Sequence, residues 1–171
     1  TQVELRDAGI TSAQAAAFEE LAGHLIHGGG PLRPPVDELR RNQGDQSRLW
    51  NHGISGDLPI LLATIRDHEG LPTLAELFAG HRYLRRRGFE FDLVVVAAEP
   101  HDYLQQLRQA IIDQMVAASD ASFVDQRGGV FIRRRDDFDA DDYLMLSATA
   151  RVRVPCDGRP IGRILRAEQA D

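Results

Sequence analysis

Apolar residues along this chain keep two different periods. Phe18, Leu21, Ala22, Leu25 and Ile26 recur at helical spacing and make one apolar helix face. Thr11-Ser12-Ala13-Gln14 before them has the spacing of a capping box. Gly28-Gly29-Gly30-Pro31 predicts the stop, and the stretch to Pro34-Pro35 reads as an extended linker. A short helix near Val36 to Arg41 and a polar segment from Asn42 to Arg48 follow. From Leu58 to Ile65 the chain is almost wholly apolar, as in a strand buried on both faces of a parallel sheet. Pro72 suits the first turn of a helix. Leu74, Leu77, Phe78, His81 and Leu84 continue that helix, and Arg85 to Arg87 place positive charge at its negative end. Gly88 is a natural residue just past its end.

The pattern then repeats. Phe91 to Ala98 is a second, valine-rich strand. Pro100 opens a helix with Tyr103, Leu104, Leu107, Ile111 and Met115 inward, and Glu99 before it reads as a cap. Gly129 to Arg133 is a third strand. Asp139, Asp141 and Asp142 put negative charge at the start of a last helix near Tyr143 to Val152. The tail from Cys156 reads as a turn and a short frayed helix. The expected fold is therefore α/β: a small three-stranded, mainly parallel sheet in βαβαβα order with an N-terminal helical arm. Residues 1–48 form the arm with its Pro/Gly linker and residues 49–171 the small α/β domain, together one structural unit.

Bulk composition narrows the function classes. A chain of 171 residues is about one domain's worth and long enough to bury a core. The net charge of −6 argues against a general nucleic-acid binder, which needs a basic face. All 20 basic residues are arginine, the better fork for carboxylate and phosphate. The single cysteine, Cys156, excludes an internal disulfide and fits a reducing compartment. No apolar run reaches the roughly 20 residues needed to span a bilayer, so no direct membrane insertion is expected. No signal-peptide pattern opens the chain, and its start at Thr1 is what a segment of a longer protein would show.

The richest stretch is Leu49 to Leu62, LWNHGISGDLPILL. It holds the lone tryptophan, Trp50, beside His52, with Gly53 and Gly56 free to adopt backbone angles that other residues avoid. Pro59 suits the first residues of a strand. Gly53-Ile54-Ser55-Gly56 is one residue short of a nucleophile elbow, and a strand rather than a helix follows it. The structural reading is that Ser55 and Asp57 satisfy backbone donors in a tight turn. The glycines do not make a phosphate loop, because no Gly-Lys-Ser/Thr ending follows. Trp50 and His52 could form a sugar platform; the commoner fate of a lone tryptophan is a packed anchor with its indole N–H satisfied.

Other polar clusters carry less chemistry. His24 and His27 share a helix but lack the further ligands of a zinc site, and both read as solvated. His81 reads as a hydrogen-bonded core residue. Arg133, Arg134 and Arg135 meet Asp136 and Asp137 at the end of the third strand. Ligands bind beyond the carboxyl ends of parallel strands, but a solvated ion-pair cluster is the commoner outcome of such a run. Asp139, Asp141 and Asp142 lack the glycine and glutamate of a calcium loop. No catalytic residue, metal site or cofactor is expected.

Leu49 to Ile60, LWNHGISGDLPI, resembles the Leu-Trp-x-x-Gly-Ile-Ser-Gly-Asp-x-Pro-Ile segment of bacterial cyclic β-1,2-glucan synthases of the NdvB type. The upstream helix, Pro31 to Pro35, Asn42, Gln46-Ser47, Phe91-Asp92-Leu93-Val94 and Gly128-Gly129-Val130-Phe131 are similar as well. Gly28-Gly29-Gly30 departs, standing where a Tyr-Pro-Asn-Pro-like sequence is expected. The resemblance implies a small internal segment of a large membrane glycosyltransferase that makes cyclic β-1,2-glucan from UDP-glucose. The segment would lie among β-sandwich modules of the phosphorylase-like C-terminal region, at the cytoplasmic face of the inner membrane. The family's catalytic motifs do not occur in this chain. Trp50, Gly53, Ile54, Ser55, Gly56, Asp57 and Pro59 are the matching positions. The resulting expectation is a non-catalytic scaffold or spacer module whose partners are neighbouring β-sandwich and phosphorylase-like domains. The alternative is a β-glucan-binding module exposing Trp50, His52 or Tyr83, with Ser55 and Asp57 among the sugar contacts. A small serine hydrolase ranks third and requires Ser55 beside a histidine.

Overall fold

The computed structural model describes residues 9–27, 47–98, 101–117 and 121–170. The expected linker, the helix near Val36 to Arg41, and Glu99 and Pro100 lie outside them. Six α-helices and four strands are present among the described residues: α1 (Ser12–His27), α2 (Ser47–Trp50), β1 (Ile60–Ile65), α3 (Leu71–Arg86), β2 (Asp92–Ala97), α4 (His101–Ala117), β3 (Val130–Arg134), α5 (Ala140–Thr149), β4 (Val152–Cys156) and α6 (Ile161–Ala170). The strands form one parallel sheet in the order β3-β2-β1-β4. The α/β class holds, and the expected sheet gains a fourth strand.

That strand corrects the reading of the C-terminal part. Helix α5 ends at Thr149 rather than near Val152. Val152, Val154 and Cys156 alternate inward along β4, as β-branched and small apolar residues do on a pleated surface. Leu61 pairs with Val152 and Ile65 with Cys156. Pro155 lacks a donor, which an edge strand tolerates because one side needs no partner. The tail beyond is helical, with Ile161, Ile164 and Leu165 fully buried. Burial pushes the Cys156 thiol up to about 12.

Strand alternation divides the core in two. Leu61, Ala63, Ile65, Leu93, Val95, Val130, Ile132, Val152 and Val154 face one side, with α1, α3, α4 and α6 packed on them. Ile60, Leu62, Val94, Val96 and Phe131 face the other, covered by α5, α2 and the loop after it. The connections after β1 and β2 therefore run over the first face, and the connection after β3 over the second.

The anticipated local signals do their work. Thr11 and Gln14 form the reciprocal capping box at 3.0 and 3.1 Å. Phe18, Leu21 and Leu25 are buried, whereas Ile26 is 54% exposed. Glu76 of α3 accepts from Gln14 of α1 and from the Ile161 backbone N–H of α6 at 3.2 and 2.6 Å, tying three helices together. His81 is buried as expected, with Nε2 2.9 Å from the Gly128 carbonyl and Nδ1 2.9 Å from Arg85. Beside it, buried Asp92 accepts the Gly128 N–H through Oδ1 at 2.7 Å, while Oδ2 has no hydrogen-bond partner among the described residues. His24 is largely covered rather than solvated, its ring 3.8 Å from Glu20.

Candidate functional site

The segment 47–59 crosses the second face of the sheet before entering β1. Leu49 and Ile54 are fully buried in that face's core. Between them the chain turns tightly: the Leu49 carbonyl accepts from His52 N and Ile54 N at 2.9 and 3.1 Å. Gly53 and Gly56 take φ of +80° and +79°, the left-handed region that makes them glycine positions. Ser55 Oγ accepts from the Asp57 N–H at 3.2 Å, so Ser55 performs the expected turn role. Pro59 precedes β1 and its carbonyl accepts from Asp92 N at 2.9 Å.

Arg133 of β3 holds this loop from beneath. Its Nε and Nη2 both donate to the His52 carbonyl, at 3.1 and 2.8 Å, and its Nη1 lies 2.8 Å from Asp125. The expected cluster at the end of β3 is thus divided. Arg134 pairs with Asp137 at 3.1 Å, Arg133 reaches Asp125 instead, and Arg135 lies over the Tyr143 ring.

His52 sits at the junction of the loop with α5. Its ring stacks on Phe138 with centroids 4.0 Å apart, and Nε2 lies 3.0 Å from Asp142 Oδ2. Arg48 donates to the other carboxylate oxygen at 3.1 Å. The His52 hydrogen bond, then Arg48, holds the Asp142 carboxyl below its ordinary value. Asp139 caps α5 by accepting from Asp142 N at 2.7 Å, the helix-start role expected of these acids.

Trp50 departs from the anchor reading. The residue is 61% exposed, although its Nε1–H is satisfied by the Ser55 carbonyl at 3.0 Å. The hydrogen bond fixes the ring's edge and leaves the residue outward. Tyr83 lies far from this surface in the first-face core, buried, with its hydroxyl donated to Glu19. Asp57 is exposed. The structure therefore brings Trp50, His52, Ser55 and the glycines into one loop and adds Arg48, Arg133, Phe138 and Asp142. Nothing in the sequence pairs His52 with an acid 90 positions later; only the strand-helix alternation hinted that α5 would return over the sheet.

The chemistry available here is limited. Ser55 is bonded to a backbone N–H and His52 to Asp142, so the serine–histidine contact of a hydrolase is not formed among the described residues. No group of three or more His, Cys, Asp and Glu side chains that could hold a metal occurs among the described residues. No helix among them is long and apolar enough to cross a membrane.

No protein-family model matches the chain. Over 157 residues, 88% of this chain, it is 34% identical to the cyclic beta-(1,2)-glucan synthase NdvB of Rhizobium meliloti (strain 1021). The chain matches a segment of an NdvB-type protein. It spans 5% of that relative's length. The likeness agrees with the resemblance carried by Leu49 to Ile60.

Proposed function

We propose that this chain serves as a non-catalytic scaffold module within an NdvB-type cyclic β-(1,2)-glucan synthase. One observation carries the reading: the serine hydroxyl, the histidine ring and the indole N–H of the 49–59 motif are engaged internally. Ser55 Oγ accepts from Asp57 N, His52 bonds Asp142, and the carbonyls of His52 and Ser55 accept from Arg133 and Trp50. Leu49 and Ile54 secure the loop to the core. A motif so arranged fixes a surface and leaves no nucleophile with a base. The parent would be a membrane glycosyltransferase using UDP-glucose, with this module at the cytoplasmic face of the inner membrane among β-sandwich and phosphorylase-like neighbours. In the full-length synthase, Ser55→Ala should leave glucan production unchanged, whereas Leu49→Ala should lower the amount of folded enzyme. A Ser55→Ala synthase that folds normally but loses turnover would overturn the reading.

A second reading, a β-glucan-binding surface, is favoured by the exposed and edge-anchored Trp50. An aromatic face held outward is the arrangement a pyranose ring stacks on. An NMR titration with β-1,2-linked glucose oligomers separates the two. Saturable shifts at the Trp50 indole and the Gly53 to Asp57 amides would replace the scaffold reading with binding. Silence at millimolar sugar would leave the scaffold.

A further inference from the structure

The sheet has one topological switch point. The connections after β1 and β2 pass over the first face, and α6 after β4 packs there too. Only the connection after β3 departs over the second face. Neighbouring β2 and β3 therefore send their chains in opposite directions, which opens a crevice at their carboxyl ends. Ligands of open parallel sheets bind in that crevice.

A cavity of about 130 Å³ occupies it, lined by Ala97 at the end of β2, Arg108 and Ile111 of α4, Ile132 to Arg134 of β3, and Asp137. Its charges are unequally matched. The Arg133 guanidinium is committed to His52 O and Asp125. Arg134 forks onto Asp137 Oδ1 through Nε and Nη2, at 3.3 and 3.1 Å, and Asp137 Oδ2 takes the Arg134 N–H. Arg108 alone among these side chains has no hydrogen bond or ion pair with any described residue. Among the described residues the lining thus carries one uncompensated guanidinium over an apolar floor of Ala97, Ile111 and Ile132.

We infer that this crevice is a binding site for a small oxyanion, a phosphate or carboxylate group, with Arg108 as its principal partner. Guanidinium presents paired N–H donors that match both groups. The volume lies well below the roughly 300 Å³ at which drug-sized pockets begin, so the site takes an isolated anionic group and not a whole nucleotide. Asp137 limits affinity by holding the Arg134 fork. This site shares Arg133 with the 49–59 loop but does not use the Trp50 ring, and it does not depend on the proposed function.

The test is a titration of the ¹⁵N-labelled full chain with inorganic phosphate, and separately with malonate, at constant ionic strength. Backbone amides and arginine Nε–H signals are read together. Saturable shifts confined to Arg108, Arg134 and the amides of residues 97 and 132–134 are expected from at least one anion; the stronger of the two names the group. Arg108→Gln, on an exposed position, should weaken that binding by about tenfold or more, the loss of one charge-assisted fork. Asp137→Asn should tighten it by releasing Arg134, and Arg163→Gln on α6 should leave it unchanged. Shifts that grow linearly and spread to Arg163, or an Arg108→Gln protein that binds as tightly as the parent, would overturn the assignment.

Discussion

His52 Nε2 lies 3.0 Å from Asp142 Oδ2, so a loop ahead of the first strand is joined to the first turn of α5, 90 residues later. Because His52 and Arg48 favour the charged carboxylate, the Asp142 pKa is lowered from 3.8. In the window below that value the unfolded chain binds the extra proton, so stability rises with pH there. The contribution is fully present above the unfolded value and is lost as pH falls through the lower, folded value. Asp142→Asn should be less stable than the parent at neutral pH by about 1 kcal/mol, the scale of one such hydrogen bond near the surface. Urea titrations of both proteins through the carboxylate range should show the gap closing in acid. A gap of constant size would mean that the carboxylate charge contributes nothing.

Gly53 makes the same junction sensitive to a single methyl. Its φ of +80° is costly for any residue with a Cβ, and a Cβ there would sit 3.2 Å from Arg133 Nη2. Gly53→Ala should cost about 1–2 kcal/mol from the backbone angle. It should also disturb the bidentate grip of Arg133 on the His52 carbonyl. Chemical denaturation measures the first effect, and the Arg133 Nε–H signal reports the second.

Much of this was legible along the chain, for identifiable reasons. The capping box at Thr11, the glycine turns at 53 and 56 and the helix from Leu71 depend on neighbours within a few residues, and local pattern exposes them. β4 was hidden because Arg151, Arg153 and Pro155 broke the apolar run. An edge strand needs only alternate inward positions, Val152, Val154 and Cys156, to belong to the sheet. Trp50 was misjudged because a lone tryptophan usually packs inward; here Leu49 and Ile54 fill the core on either side and leave it outside. The His52–Asp142 bond and the division of Arg133 from Arg134 are tertiary, and no spacing announces them.

Asp92 offers a test of the opposite sign. The carboxyl is buried, and burial raises its pKa above 3.8 despite the Gly128 N–H. In the window above 3.8 the folded chain binds the extra proton, so stability falls as pH rises toward the folded value. Asparagine keeps an acceptor for Gly128 and removes the buried charge. Asp92→Asn should therefore be more stable than the parent at neutral pH, and the advantage should shrink as the parent is acidified. Thermal melts of both proteins across that range would decide it, and an Asp92→Asn protein that is weaker at neutral pH would refute the account.

Leu49 and Trp50 are adjacent in sequence and opposite in consequence. Leu49 is fully buried in the second-face core that also holds Ile54, Ile60 and Phe138, whereas Trp50 is 61% exposed and keeps one backbone hydrogen bond. Leu49→Ala should cost about 2–5 kcal/mol, the transfer of a buried side chain plus the cavity it leaves. Trp50→Ala removes a smaller, partly buried area and one exposed hydrogen bond, so it should cost less, about 1–2 kcal/mol. If stability is measured for both, the usual ranking of tryptophan above leucine is expected to invert. A large loss at Trp50 would mean that the ring is covered, as by a second module or a glucan chain, and the same pair measured in the full-length synthase would then locate that cover.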